Sequence, residues 1–105
     1  MPEQARAFRG DFICDARSDD LNVNGIRLFA DYMIEDPLET MFTIGFTLPH
    51  GTMYLIPARL KRMQRNTATR SYLYDYGFMF DYTQMPERRD KLVTDILTAK
   101  LKGKA

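Results

Sequence analysis

Polar and apolar residues alternate along most of this chain, and only its last stretch changes period. From Thr40, the residues Phe42, Ile44, Phe46 and Leu48 fall on one side, with Met41, Thr43, Gly45 and Thr47 on the other. A period of two, carried by β-branched and aromatic residues, predicts a half-buried strand. Leu48-Pro49-His50-Gly51 reads as a hairpin turn, and the return strand sets Tyr54, Ile56, Ala58 and Leu60 opposite Arg59 and Lys61. Pro57 lies on the polar side of that strand and cannot donate to a ladder, so an edge or a bulge is expected there. After a turn at Asn66-Thr67-Ala68-Thr69, the row Tyr72, Tyr74, Tyr76, Phe78, Phe80 and Tyr82 alternates with Leu73, Asp75, Gly77, Met79 and Asp81. That aromatic row reads as barrel core. A base-stacking platform would come with a basic groove.

Earlier in the chain the pattern is shorter. Phe8 to Asp15 is a strand candidate bounded by the polar run Asp15 to Asp20. Leu21 to Ala30 is interrupted at Asn22-Val23-Asn24-Gly25, after which Ile26, Leu28 and Ala30 share a side. At the other end the period becomes helical. Pro86 suits the first helical position and Glu87 the positive end of the helix dipole. Leu92, Val93, Ile96, Leu97 and Leu101 then form one stripe, Lys100 and Lys102 suit the last turn, and Gly103 ends it. A helix over 86–102 is marginal alone, so its apolar stripe is expected to dock on the barrel mouth. Strands without crossover helices favour antiparallel pairing. The expected fold is mainly β: a small antiparallel barrel of five to six strands with a C-terminal helix. Residues 1–105 form a single domain, and residues 1–10 are an N-terminal arm.

Composition narrows the function. The chain has 105 residues, 45% hydrophobic and 28% charged, which is ordinary for one globular domain. Its formal charge of +1 gives no global field to draw in nucleic acid or an anionic membrane. No apolar run approaches the length of a membrane span, and Met-Pro-Glu-Gln-Ala-Arg is too polar for a signal peptide. A lone cysteine, Cys14, rules out an intramolecular disulfide and, in its apolar run, reads as a small core residue. A cytoplasmic location follows as the expectation. Catalysis has little to work with. The single histidine, His50, sits in a turn, no His, Cys or carboxylate cluster has metal-ligand spacing, and no phosphate loop or nucleophile elbow occurs. The chain is not expected to be an enzyme.

Two segments resemble the PilZ domain family. Asp20-Leu21-Asn22-Val23-Asn24-Gly25-Ile26-Arg27-Leu28 is similar to its D/N-x-S-x-x-G motif and the strand that follows, with Asn22 where serine is usual. Tyr74-Asp75-Tyr76-Gly77-Phe78-Met79-Phe80-Asp81 resembles its closing strand, Y-x-x-G-F-x-F, and runs into the mixed-charge helix from Glu87 to Val93. The resemblance spans roughly residues 20 to 100 and implies a barrel that binds cyclic di-GMP. In the family an R-x-x-x-R motif grips guanine edges and phosphates, as guanidinium forks do well. This chain offers Arg6-Ala7-Phe8-Arg9, one residue short. Either the N-terminal strand is missing, leaving five main strands, or Arg6 and Arg9 lie on a flexible arm. The implied ligand residues are Arg6, Arg9, Asp20, Asn22 and Gly25, with Arg17 as a partial substitute beside the turn.

Three readings follow. The first is a cyclic di-GMP receptor that relays the messenger's level to a partner protein. The second is a degenerate PilZ-like adaptor that binds a protein without nucleotide, through an aromatic or methionine surface drawn from Met33, Met41, Met53, Met63, Met79 and Met85. The third is nucleic-acid binding by Arg59, Lys61, Arg62, Arg65 and Arg70, which read more simply as a solvated strand face. The retained Asp20 to Gly25 turn places the receptor first. No nucleic-acid partner and no membrane insertion are expected.

Overall fold

Each alternating segment becomes a strand, and the six strands close on themselves. The computed structural model of the chain describes residues 4–49 and 51–103. In chain order the elements are β1 (Gln4–Arg9), β2 (Asp11–Asp19), β3 (Gly25–Ala30), β4 (Met41–Thr47), β5 (Met53–Arg65), β6 (Tyr74–Phe80) and α1 (Pro86–Gly103). The barrel order is β1-β2-β3-β6-β5-β4, every neighbouring pair antiparallel, with β1 against β4 closing the circle. The expected mainly β barrel with a C-terminal helix is the fold observed.

The N-terminal arm is corrected. Residues 4–9 are a barrel strand, β1, paired with β2 on one side and with β4 on the other. Ala5 and Ala7 point inward and are buried, while Gln4, Arg6 and Arg9 face out. Alanine is a weak hydrophobic signal, which is why the alternation there escapes a pattern search. The strand expected over Phe8 to Asp15 is two strands. Gly10, at φ 77°, turns the chain between Arg9 and Asp11, a backbone conformation glycine adopts without strain. β2 then runs through the polar stretch to Asp19, with Cys14, Ala16 and Ser18 inward.

Small and large residues share the interior, as a narrow barrel requires. Ala5, Ala7, Ala16 and Ala58 leave room for Phe42, Phe46, Phe78 and Phe80. Phe42 meets Phe78 edge to face at 5.5 Å, and Phe46 stacks on Tyr54 and Phe80. The aromatic row of β6 is core: Tyr76, Phe78 and Phe80 are buried. Cys14 is buried too, and its thiol is pushed up by that burial and by Asp15.

Pro57 is not at an edge. It pairs with Thr43 of β4, and its carbonyl accepts from the Asp81 N–H at 2.8 Å, just past the end of β6. In an antiparallel strand the N–H and C=O of one residue point to the same neighbour, so the missing donor falls where that ladder stops. The irregularity in β5 lies four residues later. Leu60 pairs with Phe78 and Arg62 with Gly77, so Lys61 is extra.

α1 caps one mouth. Leu92 and Ile96 are buried, whereas Leu97 and Leu101 are 56% and 70% exposed. Val93 is half-buried, so the expected stripe docks along its first part only. The rest of the hold is polar: the Tyr54 hydroxyl donates to Asp95, Lys91 lies over the Tyr54 ring at 5.4 Å, and Arg88 donates to the Leu55 carbonyl at 3.1 Å. No helix among the described residues is long and apolar enough to cross a membrane.

Candidate functional site

The β2–β3 turn is a closed hydrogen-bonded unit. The Asn22 side-chain oxygen accepts from the N–H groups of Asn24 at 2.8 Å and Gly25 at 3.2 Å, and the Asn22 N–H donates to the Gly25 carbonyl at 3.0 Å. Asparagine holds its own turn in this way because its short amide mimics a backbone acceptor. Asp20 enters the turn at φ 48°, a left-handed conformation that aspartate tolerates better than most residues. Gly25 is needed for approach. A Cβ there would lie 2.2 Å from the Phe78 carbonyl oxygen, across the β3–β6 ladder.

Beside the turn, the outer face of β2-β3-β6-β5 carries a network absent from the sequence reading. Asp75 is 1% exposed although it points out of the barrel. The Arg27 guanidinium donates to it twice, Nε at 3.1 Å and Nη2 at 2.7 Å, Arg62 adds a third bond at 2.8 Å, and Gln64 a fourth at 3.2 Å. Arg27 also lies over the Phe29 ring at 4.8 Å, covering an aromatic that is buried yet belongs to the outer face. The hydrogen bonds from Arg27 outweigh burial and, with Arg62 and Gln64, hold the Asp75 carboxyl below the usual carboxylate range. The bulge at Lys61 makes this possible. It keeps Arg62 outward, opposite Gly77, where a regular ladder would turn it toward the interior.

Asp20, Asn22, Gly25, Arg27, Lys61, Arg62, Gly77 and Met79 thus border one shallow depression of about 350 Å³. Arg17 projects from β2 onto the same face, opposite Phe29. Of the residues expected from the sequence, Asp20, Asn22 and Gly25 border this depression, and Arg17 stands on the same face without lining it.

Arg6 and Arg9 are not. Arg6 pairs with Asp15 at 3.3 Å, and Arg9 makes an ion pair with Asp36. Their register partners on β2 are Asp15 and Asp11, and strand rise puts these ~13 Å and ~27 Å from Asp19 at the turn. A strand holds both arginines away from the turn, so the clamp expected of a mobile arm does not assemble. Arg27, Arg62 and Asp75 supply what the sequence reading missed. The signal that bears on them is the alternation itself, which sets Arg27 and Asp75 on the outward side of their strands.

Two of the other basic residues of the β5 hairpin are ion-paired. Arg59 pairs with Asp81 at 3.3 Å and Lys61 with Glu39 at 2.5 Å.

A larger depression, about 610 Å³, lies on the β1–β4–β5 face. Phe8, Gly45, Met53 and Leu55 line it, with Arg6 and Asp15 at the rim. Gln4 and Thr47 also line it, so apolar side chains there mix with polar ones and with the Arg6–Asp15 ion pair. His50, expected in the hairpin turn between β4 and β5, lies outside the described residues. No family model and no curated protein sequence matches the chain.

Proposed function

We propose that this chain is a PilZ-type regulatory barrel, cytoplasmic and without catalytic activity, that binds cyclic di-GMP on its β2-β3-β6-β5 face and relays occupancy to a partner protein. The observation that carries this reading is the pair Arg27 and Arg62, both fixed by the buried Asp75 alongside the Asp20 to Gly25 turn. Fixed guanidinium groups meet phosphate with little ordering cost, and each has N–H groups beyond those given to Asp75. Arg17 adds an exposed guanidinium for a phosphate or a guanine face. The Asp20 carboxylate suits the donor edge of guanine. Asn22 serves the turn first, so its part is to shape the site.

Isothermal titration of the full chain with cyclic di-GMP tests the reading. Binding is expected to weaken about tenfold or more in Arg17→Ala, for loss of a charge-assisted contact. Asp20→Gly removes the carboxylate and suits the positive φ, so it is expected to weaken binding in a folded chain. Arg9→Ala is expected to bind like the parent, because Arg9 lies at the far end of β1. Absence of heat from the folded parent chain would defeat the reading.

The adaptor reading is favoured by a different observation, the exposed Met53 and Leu55 side by side in the depression around Gly45, where Met53 is 67% exposed. Exposed contiguous apolar surface fits a protein partner. Its distinguishing outcome is a partner released by Met53→Glu from a chain that gives no heat with the dinucleotide.

A further inference from the structure

The end of β6 and the segment that joins it to α1 are bonded to the β2–β3 turn at two successive carbonyls. The Phe80 N–H donates to the Asn24 carbonyl at 2.9 Å, and the Tyr82 hydroxyl donates to the Val23 carbonyl at 2.6 Å. Both carbonyls belong to the loop that the Asn22 side chain closes by accepting from the N–H groups of Asn24 and Gly25. The Tyr82 ring packs on Phe80 at 6.0 Å and against the barrel core, only four residues before Pro86 opens α1. α1 itself is held by two buried side chains, Leu92 and Ile96, and by contacts of Asp95 and Lys91 with Tyr54 and of Arg88 with the Leu55 carbonyl.

We propose that Tyr82 is a positioning residue that couples the conformation of the β2–β3 turn to the docking of α1. Ligand at the turn and helix on the mouth then belong to one equilibrium, and the second half of the helical stripe, Leu97 and Leu101, is presented according to it. This deepens the function proposed above and rests on it for the identity of the ligand. The coupling itself rests on the hydrogen bonds. Burial pushes the Tyr82 hydroxyl up to about 12, so it stays a donor throughout the physiological range. A two-state element biased from both ends is the physical requirement for such coupling. A helix held by few buried contacts supplies it.

Amide hydrogen exchange on the full chain tests the proposal in a double-mutant cycle of Asn22→Ala and Tyr82→Phe. Asn22→Ala alone is expected to speed exchange in α1 on the order of tenfold, the worth of about one hydrogen bond. Asn22→Ser, which keeps an acceptor oxygen, is expected to restore the parent rate. In the Tyr82→Phe background, Asn22→Ala is expected to loosen the turn and leave α1 unchanged further. Equal effects of Asn22→Ala on α1 in both backgrounds would overturn the proposal. So would loss of protection across the interior strands in Tyr82→Phe, since the hydroxyl would then serve the fold at large. Saturating cyclic di-GMP is expected to slow α1 exchange in the parent and not in Tyr82→Phe. Slowing to the same extent in both would also overturn it. A cycle that shows coupling in a chain blind to cyclic di-GMP would defeat the receptor reading and leave the coupling standing.

Discussion

Asp75 shows how one side chain can organise a face. It is a carboxylate on the outer side of a strand, and three neighbouring side chains cover it almost completely. Replacing it with asparagine leaves two guanidinium groups facing each other without a counter-charge. Because Arg27 and Arg62 retain partial access to water, the expected cost is about 2 kcal/mol at neutral pH rather than that of a fully buried pair, measured by urea unfolding. The acid side of the stability curve should change as well. A carboxyl whose folded pKa lies below its unfolded value contributes fully above the unfolded value, and that contribution is lost as pH falls through the folded one. The parent chain should therefore lose this contribution below about pH 4, and Asp75→Asn should lack that part of the slope. The sequence showed the outward position of Asp75 but not its burial. Arg27, Arg62 and Gln64 converge on it from two other strands, and which strands are neighbours is a property of topology, not of local pattern. Gly25 was legible as a special position from its place in the turn. The turn does not require its conformational freedom; the Phe78 carbonyl leaves no room for a Cβ.

At the scale of elements, the strands with large apolar residues were readable and those with small ones were not. β4 and β6 carry phenylalanine, tyrosine and isoleucine at every second position, and their observed bounds fall close to the expected ones. β1 buries only Ala5 and Ala7, so it passed for an arm. The bulge in β5 left no local sign either, because Lys61 and Arg62 are adjacent cations that would look equally at home on a regular outward face. The helix was readable in position and only partly in role. Leu92 is wholly buried against the barrel, and truncating it to alanine should cost about 2–4 kcal/mol in urea unfolding, most of it from the cavity left behind. Leu97 follows it in the same stripe but stands in solvent, and Leu97→Ala should shift stability by no more than about 0.5 kcal/mol. Equal costs at the two positions would show that the stripe docks along its full length.

For the molecule as a whole, β1 is the strand that closes the barrel. Removing residues 1–9 would expose β2 and β4 as two unpaired edges and open the interior beneath Ala5 and Ala7. The truncated chain should lose its cooperative unfolding transition and elute as aggregate in size-exclusion chromatography, since long unpaired edges seek other strands. A monomeric truncated chain with the parent's stability would mean the segment is a dispensable arm after all. The strand order has a further consequence during synthesis. β1, β2 and β3 can pair as they leave the ribosome, and β4 can add to β1 and β5 to β4, but β3 has no second neighbour until β6 appears. A nascent chain that has reached the end of β5 is thus an open curved sheet with β3 and β5 as its free borders. Residues 74–80 seal it, and because α1 follows at once, the capping helix arrives only after the last seam is shut.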